Sequence, residues 1–292
     1  MNGEEGRLID IGDTGLYVVE RGRGYPLIIL HGGPGLDHHM FGNYLDALTD
    51  DYRLILVDQR ANGRSGQPPE DTWTLDQNSR DVGLLAKAMG LDKYAVLGHS
   101  YGAFVALHNA VCFPGQAAQT IVSSGVPGSR FLMSHVEHEL ANFQPEKLRR
   151  QVTDSWAREQ HVQTPDEVAA LISDQLPFHF ADPFDPRIAE FKQRTAGMVY
   201  SPEVLRKSSS EDYGGIEVED RLGDIPQPVL ILAGRYDRTC SVEAAEFMAA
   251  NVPNAELVVF EKSGHMTFVE ENEHYVNTVR AFLDRHNVSD ER

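Results

Sequence analysis

Three residues far apart in this chain have the types needed to attack a carbonyl together. Ser100 stands in Gly98-His99-Ser100-Tyr101-Gly102, Asp237 in Gly234-Arg235-Tyr236-Asp237, and His265 in Ser263-Gly264-His265. A serine hydroxyl is a poor nucleophile until a base takes its proton. An imidazole is that base, and a carboxylate holds it in the right tautomer and stabilises its charged form. The attacked oxygen then needs N–H donors. The glycines of His31-Gly32-Gly33-Pro34-Gly35 let backbone N–H groups approach without interference from a Cβ. Gly33 N–H, paired with Tyr101 N–H, is the expected oxyanion hole. Taken singly, each feature has a bland reading: a chance G-x-S-x-G, an Asp in a turn, a His in a loop, a structural glycine turn.

The surrounding pattern decides between the two readings. Short, continuous apolar runs at 26–30, 52–58, 94–98, 118–125, 228–234 and 255–261 suit strands buried on both faces of a parallel sheet. Residues 7–11 and 15–20 flank Gly12-Asp13-Thr14 and read as an antiparallel hairpin. Helical stretches fall between the strands, at 74–90, 103–113, 241–252 and 270–286, and the closing Asn-Val-Ser-Asp-Glu-Arg is expected to fray. From 127 to 215 the alternation stops. Helical stretches at 134–141, 145–160 and 165–176 are broken there by prolines 165, 177, 183, 186 and 202. The expectation is an α/β core of residues 1–126 and 216–292, its mostly parallel sheet covered by helices on both faces, with a helical cap inserted at 127–215. In such sheets, sites form at the carboxyl ends of strands. Ser100, Asp237 and His265 each follow an expected strand there, in the chain order of a strand-to-helix nucleophile turn with its acid and base.

Composition narrows the partners. The net charge of −18 argues against nucleic acid, whose phosphates it would repel, and against an anionic membrane surface. No apolar run approaches the roughly 20 residues that span a bilayer. The acidic start Met-Asn-Gly-Glu-Glu carries no secretory pattern, so a cytoplasmic setting is expected. Cys112 and Cys240 fit neither a zinc spacing nor a disulfide framework, and Cys112 is expected to be buried in a core helix. His38-His39 and His135 with His138 have no third ligand at a useful spacing, so neither metal nor cofactor is expected.

Over nearly its whole length the chain resembles the proline iminopeptidases of the α/β-hydrolase superfamily. The resemblance rests on His31–Gly35, Asp58-Gln59-Arg60 with Gly63 and Ser65, Gly98–Gly102, Gly234–Asp237 and Ser263–His265. It implies an α/β-hydrolase fold with a helical cap, a Ser100–Asp237–His265 triad, and release of an N-terminal proline or small residue from short peptides. Two positions depart from the family pattern. Ala61 replaces a usual glycine, and Arg238 stands where an acidic residue often holds the substrate amine. Glu203 in the cap is the candidate replacement, with Glu190 and Glu211 as further carboxylates. The alternative substrate is an ester, lactone or thioester on the same machinery, and a non-catalytic binding member of the fold comes after that. Dehalogenases and epoxide hydrolases of this fold are disfavoured, since they need an Asp where Ser100 stands.

Overall fold

A computed structural model describes residues 6–286, and the expected tail at 287–292 lies outside them. The sheet forms because its central strands are apolar on both faces. β3 (Tyr25–Leu30), β4 (Tyr52–Asp58), β5 (Ala95–His99), β6 (Gln119–Ser123), β7 (Val229–Gly234) and β8 (Ala255–Phe260) run parallel. β1 (Arg7–Asp10) and β2 (Gly15–Gly22) form the expected hairpin, and β2 continues the sheet antiparallel to β4, with Val18 opposite Val57. The order is β1-β2-β4-β3-β5-β6-β7-β8. Periodicity did not reveal that β4 lies between β2 and β3. Alternate residues divide between two cores: Leu27 and Ile29 face one side, Ile28 and Leu30 the other.

The first core is covered by α1 (Leu75–Ala88), α2 (Tyr101–Cys112) and α8 (Val242–Asn251). The second is covered by α9 (Thr267–Glu270) and α10 (Asn272–His286). α10 buries Tyr275, Val276, Val279, Phe282 and Leu283, a stripe at helical spacing. The sequence pattern predicts one closing helix over 270–286. The chain instead breaks at Glu271, whose φ is −124° and ψ 51°, and whose carboxylate accepts from Lys262 N and Ser263 Oγ. Cys112 is half-buried at the end of α2 rather than buried; Cys240 is the buried thiol.

Chain order reverses between β3 and β5. β4 lies on one side of β3, and β5 returns to the other. That reversal opens a crevice at the strand ends, flanked by the glycine loop after β3 and the turn after β5. Five helices lie between β6 and β7: α3 (Ser129–Asn142), α4 (Glu146–Arg158), α5 (Pro165–His179), α6 (Arg187–Arg194) and α7 (Pro202–Ser210). α6 and α7 were not anticipated within the proline-broken stretch. Thr164 starts α5 with a reciprocal cap: its hydroxyl accepts from Glu167 N, and the Glu167 carboxylate accepts from Thr164 N. Pro177, one of the expected breaks, lies inside the last turn of α5, and the helix runs on past it to His179.

Ala61 is fully buried with φ 62°, a left-handed conformation that costs about 1–2 kcal/mol for a residue with a Cβ. Ala61→Gly removes that cost but adds about 0.5–1 kcal/mol of chain entropy to the unfolded state. The net expectation is a change of about 0 to 1.5 kcal/mol in favour of the folded chain, read as a rise in the urea midpoint with an unchanged slope.

Candidate active site

The turn at Ser100 is forced. Ser100 has φ 55° and ψ −121° and immediately precedes α2. A Cβ at Gly98 would lie 1.9 Å from Gly102 O, and one at Gly102 would lie 2.2 Å from Leu30 O. No side chain fits at either position, so both glycines are required by the closeness of strand and helix. Gly32 lies against Ser100: a Cβ built on it would be 3.0 Å from the serine Cβ. The glycine loop therefore rests beside the candidate nucleophile. Gly33, Ser100, Tyr101 and His265 all line one cavity of about 340 Å³.

Asp237 and His265 are held by a dense set of hydrogen bonds. His265 Nδ1 lies 2.8 Å from Asp237 Oδ2 and 2.8 Å from Thr239 Oγ1. Thr239 donates its own hydroxyl proton to Asp237 Oδ1, so its lone pair faces the ring nitrogen. Both neighbours of Nδ1 are thus acceptors, which assigns the proton to Nδ1 and leaves Nε2 with a lone pair. Asp237 Oδ1 also accepts from Thr239 N and Cys240 N. Burial alone would raise the Asp237 carboxyl, but His265 and these N–H donors outweigh it and hold the group well below the usual carboxylate range. Thr239 carried no motif signal. Only its place two residues after Asp237 could have marked it.

The loop bearing His265 is fastened on every side. His265 N donates to His179 O at 2.7 Å, and Ser124 Oγ donates to His265 O at 3.0 Å. The His179 ring lies 5.2 Å from the His265 ring and lines the cavity. Burial, reinforced by the neighbouring His265, pushes His179 down to about 3, so it is a neutral imidazole. The His99 ring lies 4.9 Å from His265 on another side and is likewise held neutral, chiefly by burial.

The cap supplies most of the cavity wall, with Leu132, Trp156, Ile172, Leu176, Met198 and Leu205 among its apolar residues. Glu203 is not brought to this site. It is exposed in the first turn of α7, because its neighbours Pro202, Val204 and Leu205 take that helix's buried face. Glu190 and Glu211 are spent on Arg194 and Lys207 at the surface. Among the described lining residues the carboxylate is Glu159, just after α4 and 4% exposed. It accepts from Gln175 Nε2 at 2.7 Å and from the Tyr213 hydroxyl. Burial raises its pKa, against the pull of those two donors.

Arg238, at the position where the family often carries an acidic residue, points away from the cavity. Its guanidinium turns toward the cap backbone, donating to Phe178 O, Phe180 O and Ala181 O, and lies 5.0 Å over the Phe143 ring. It is absent from the cavity lining.

Asp37, His38 and His39 bring one ligand atom each within 4.8 Å of one another, a third group that the histidine spacing had not suggested. Their polar atoms are engaged locally. His38 Nδ1 lies on Asp58, while Asp37 accepts from Arg64 and from Val199 N of the cap, with His39 Nδ1 beside it. Ser201 N donates to Gly35 O nearby, so the cap is stitched to the glycine loop here.

The sequence profile of the alpha/beta hydrolase fold family matches residues 25–272. Fold, reversal crevice and profile agree, and the chain belongs to the α/β-hydrolase fold family. Within that family its curated relatives include the proline iminopeptidase of Clostridioides difficile (strain 630), 30% identical over 284 residues that cover 89% of this chain and 89% of that protein. Among solved structures, proline iminopeptidase from Mycobacterium smegmatis matches with a TM-score of 0.76 at 24% identity, over 97% of this chain and 98% of that one. An esterase from Exiguobacterium antarcticum matches with a TM-score of 0.75 at 24% identity, over 96% and 100%. At such identity these two likenesses speak for the fold alone. Among the described residues no helix is long and apolar enough to cross a membrane.

Proposed function

We propose that the chain is a serine hydrolase that releases an N-terminal proline or small apolar residue from short peptides by acyl transfer. Ser100 Oγ attacks the carbonyl carbon while His265 Nε2 takes its proton. The N–H groups of Gly33 and Tyr101 hold the oxyanion, and Asp237 stabilises the imidazolium. His265 then protonates the leaving amine as the C–N bond breaks. Water attacks the acyl-enzyme by the same route and frees Ser100.

The observation that carries the peptide reading is Glu159. It is one buried carboxylate in a mostly apolar cavity that Ser100 also lines. A substrate ammonium entering such a cavity must meet an anion, because an unpaired buried charge is strongly unfavourable. Glu159, steadied by Gln175 and Tyr213, is that anion. The relatives named proline iminopeptidases agree with this reading. The same cavity favours an ester or lactone in one respect: apart from Glu159 its walls are mostly apolar, and burial there raises the Glu159 pKa, which disfavours its charged form. The two free cysteines fit the cytoplasmic setting that we infer.

Proline-p-nitroanilide and p-nitrophenyl acetate separate the two substrates. Glu159→Gln is expected to lower kcat/KM for the proline amide by about 100-fold or more, the scale of losing one partner of a buried ion pair. Acetate ester turnover should change only a few-fold. Equal effects on both substrates, or fast ester turnover with no proline release by the unaltered chain, would overturn the aminopeptidase reading.

A further inference from the structure

We propose that Glu270 is a positioning residue for the His265 imidazole, acting by tying the end of cap helix α5 to the loop that carries the histidine. The inference rests on the reading of Ser100 and His265 as reacting groups, and extends it to how the cap takes part.

Glu270 closes α9, five residues after His265, and is buried. Its two carboxylate oxygens are divided between two segments that are distant in the chain. Oε1 accepts from Ala181 N at 2.8 Å, in the stretch that follows α5. Oε2 accepts from Gly264 N at 2.8 Å, the residue before His265. The same cap stretch accepts the His265 N–H through His179 O. From its other side, Arg238 donates to the carbonyls of Phe178, Phe180 and Ala181. The Glu270 carboxyl group thus takes one N–H, and the Arg238 guanidinium three carbonyls, of one short backbone segment.

The packing between the two segments leaves no slack. A Cβ at Gly264 would meet His179 O at 2.7 Å and Ala181 N at 2.8 Å. Gly234, which closes β7 three residues before Asp237, is equally close: a Cβ there would meet Gly264 O at 1.9 Å. Cap end, base loop and acid loop form one packed stack. A shift of residues 178–181 therefore shifts the backbone of Gly264 and His265. Gln175, Leu176 and His179, on the same helix end, line the cavity, so whatever fills the cavity presses on this stack.

Only a carboxylate suits the position. Both partners of Glu270 are N–H donors, and a carboxylate accepts from both. A glutamine offers one oxygen, and its NH₂ would face the second N–H, leaving donors opposed. Such a change tilts the His265 loop without removing any reacting atom. Misplacement of a catalytic group on the ångström scale lowers rate up to about 100-fold.

The test compares Glu270→Gln with the unaltered chain, using whichever of the proline amide or acetate ester is turned over. We expect kcat to fall about 10- to 100-fold with KM held within about threefold. The rate of Ser100 labelling by a fluorophosphonate should fall in parallel, since it too needs His265. A lowered melting temperature with unchanged kcat per labelled site would reduce Glu270 to a stabilising contact and overturn the proposal. Should the variant fail to fold, amide hydrogen exchange on the unaltered chain decides. The amides of Ala181, Gly264 and His265 are expected to open together, at one rate. Exchange of Ala181 with the rest of the cap, while Gly264 and His265 stay protected, would overturn it. Activity surviving in Ser100→Ala would instead refute the underlying reading of the reacting groups and leave the exchange coupling standing.

Discussion

Ser100→Ala is expected to lower kcat by about 10⁴- to 10⁶-fold, on the scale of losing the nucleophile in a serine hydrolase. The reason is local. With the hydroxyl gone, His265 has no proton to accept, and only the oxyanion donors and the binding cavity remain. Those alone give a residual rate enhancement over water of about 10³–10⁴. KM should change little, since the cavity is built mainly from Glu159 and apolar cap residues. Steady-state assays on the proline amide and the acetate ester check this, and an unchanged rate on either would refute the mechanism for that substrate. The fold should survive: alanine accepts the φ of 55° at the same cost as serine, and Gly98 and Gly102 still make the turn.

Asp237→Asn is expected to lower kcat by about 10⁴-fold. Asp237 accepts from Thr239 N, Thr239 Oγ1 and Cys240 N through one oxygen and pairs with His265 Nδ1 through the other. If the asparagine oxygen keeps the Thr239 and Cys240 donors, its NH₂ faces His265 Nδ1. The imidazole must then present a lone pair at Nδ1 and carry its proton on Nε2, the wrong tautomer to accept from Ser100. The loss should be largest at neutral pH and partly reversed at high pH, where hydroxide can stand in for the missing base. A proton NMR spectrum should lose the downfield Nδ1–H resonance of the unaltered chain. Retained kcat with that resonance unchanged would show that Asp237 does not orient the ring.

The candidate residues stand out in the sequence because each follows a strand-like apolar run; β5 and β7 are buried throughout, while β8, at the sheet edge, is half-buried. The apolar runs at 94–98 and 228–234 are continuous, the apolar residues of 255–261 are flanked by Glu256 and Glu261, and the residues just after each run are few. The glycines were legible for a related reason: turns this tight exclude a Cβ, as the clashes at Gly98 and Gly102 show. The cap was legible only as a helical interval. Glu203 is the cap carboxylate that the family resemblance suggests, but its place in the sequence does not say which face of α7 is buried; Val204 and Leu205 decide that. Glu159 carried no signal because its burial depends on Gln175 and on Tyr213, 54 residues away. Arg238 was legible as a charge beside the acid, yet its direction is set by three carbonyls of the cap. In both cases long-range tertiary contacts, rather than local propensity, fixed the side chain. The pairing of β2 with β4 belongs with them, since strand order depends on crossovers that periodicity does not encode.

The most direct measurement of the central claim is covalent labelling with a fluorophosphonate, followed by mass spectrometry of the digested chain. A stoichiometric adduct on Ser100 is predicted, lost in Ser100→Ala and slowed sharply in Asp237→Asn. An adduct on another serine, or none on a folded chain, would contradict the account.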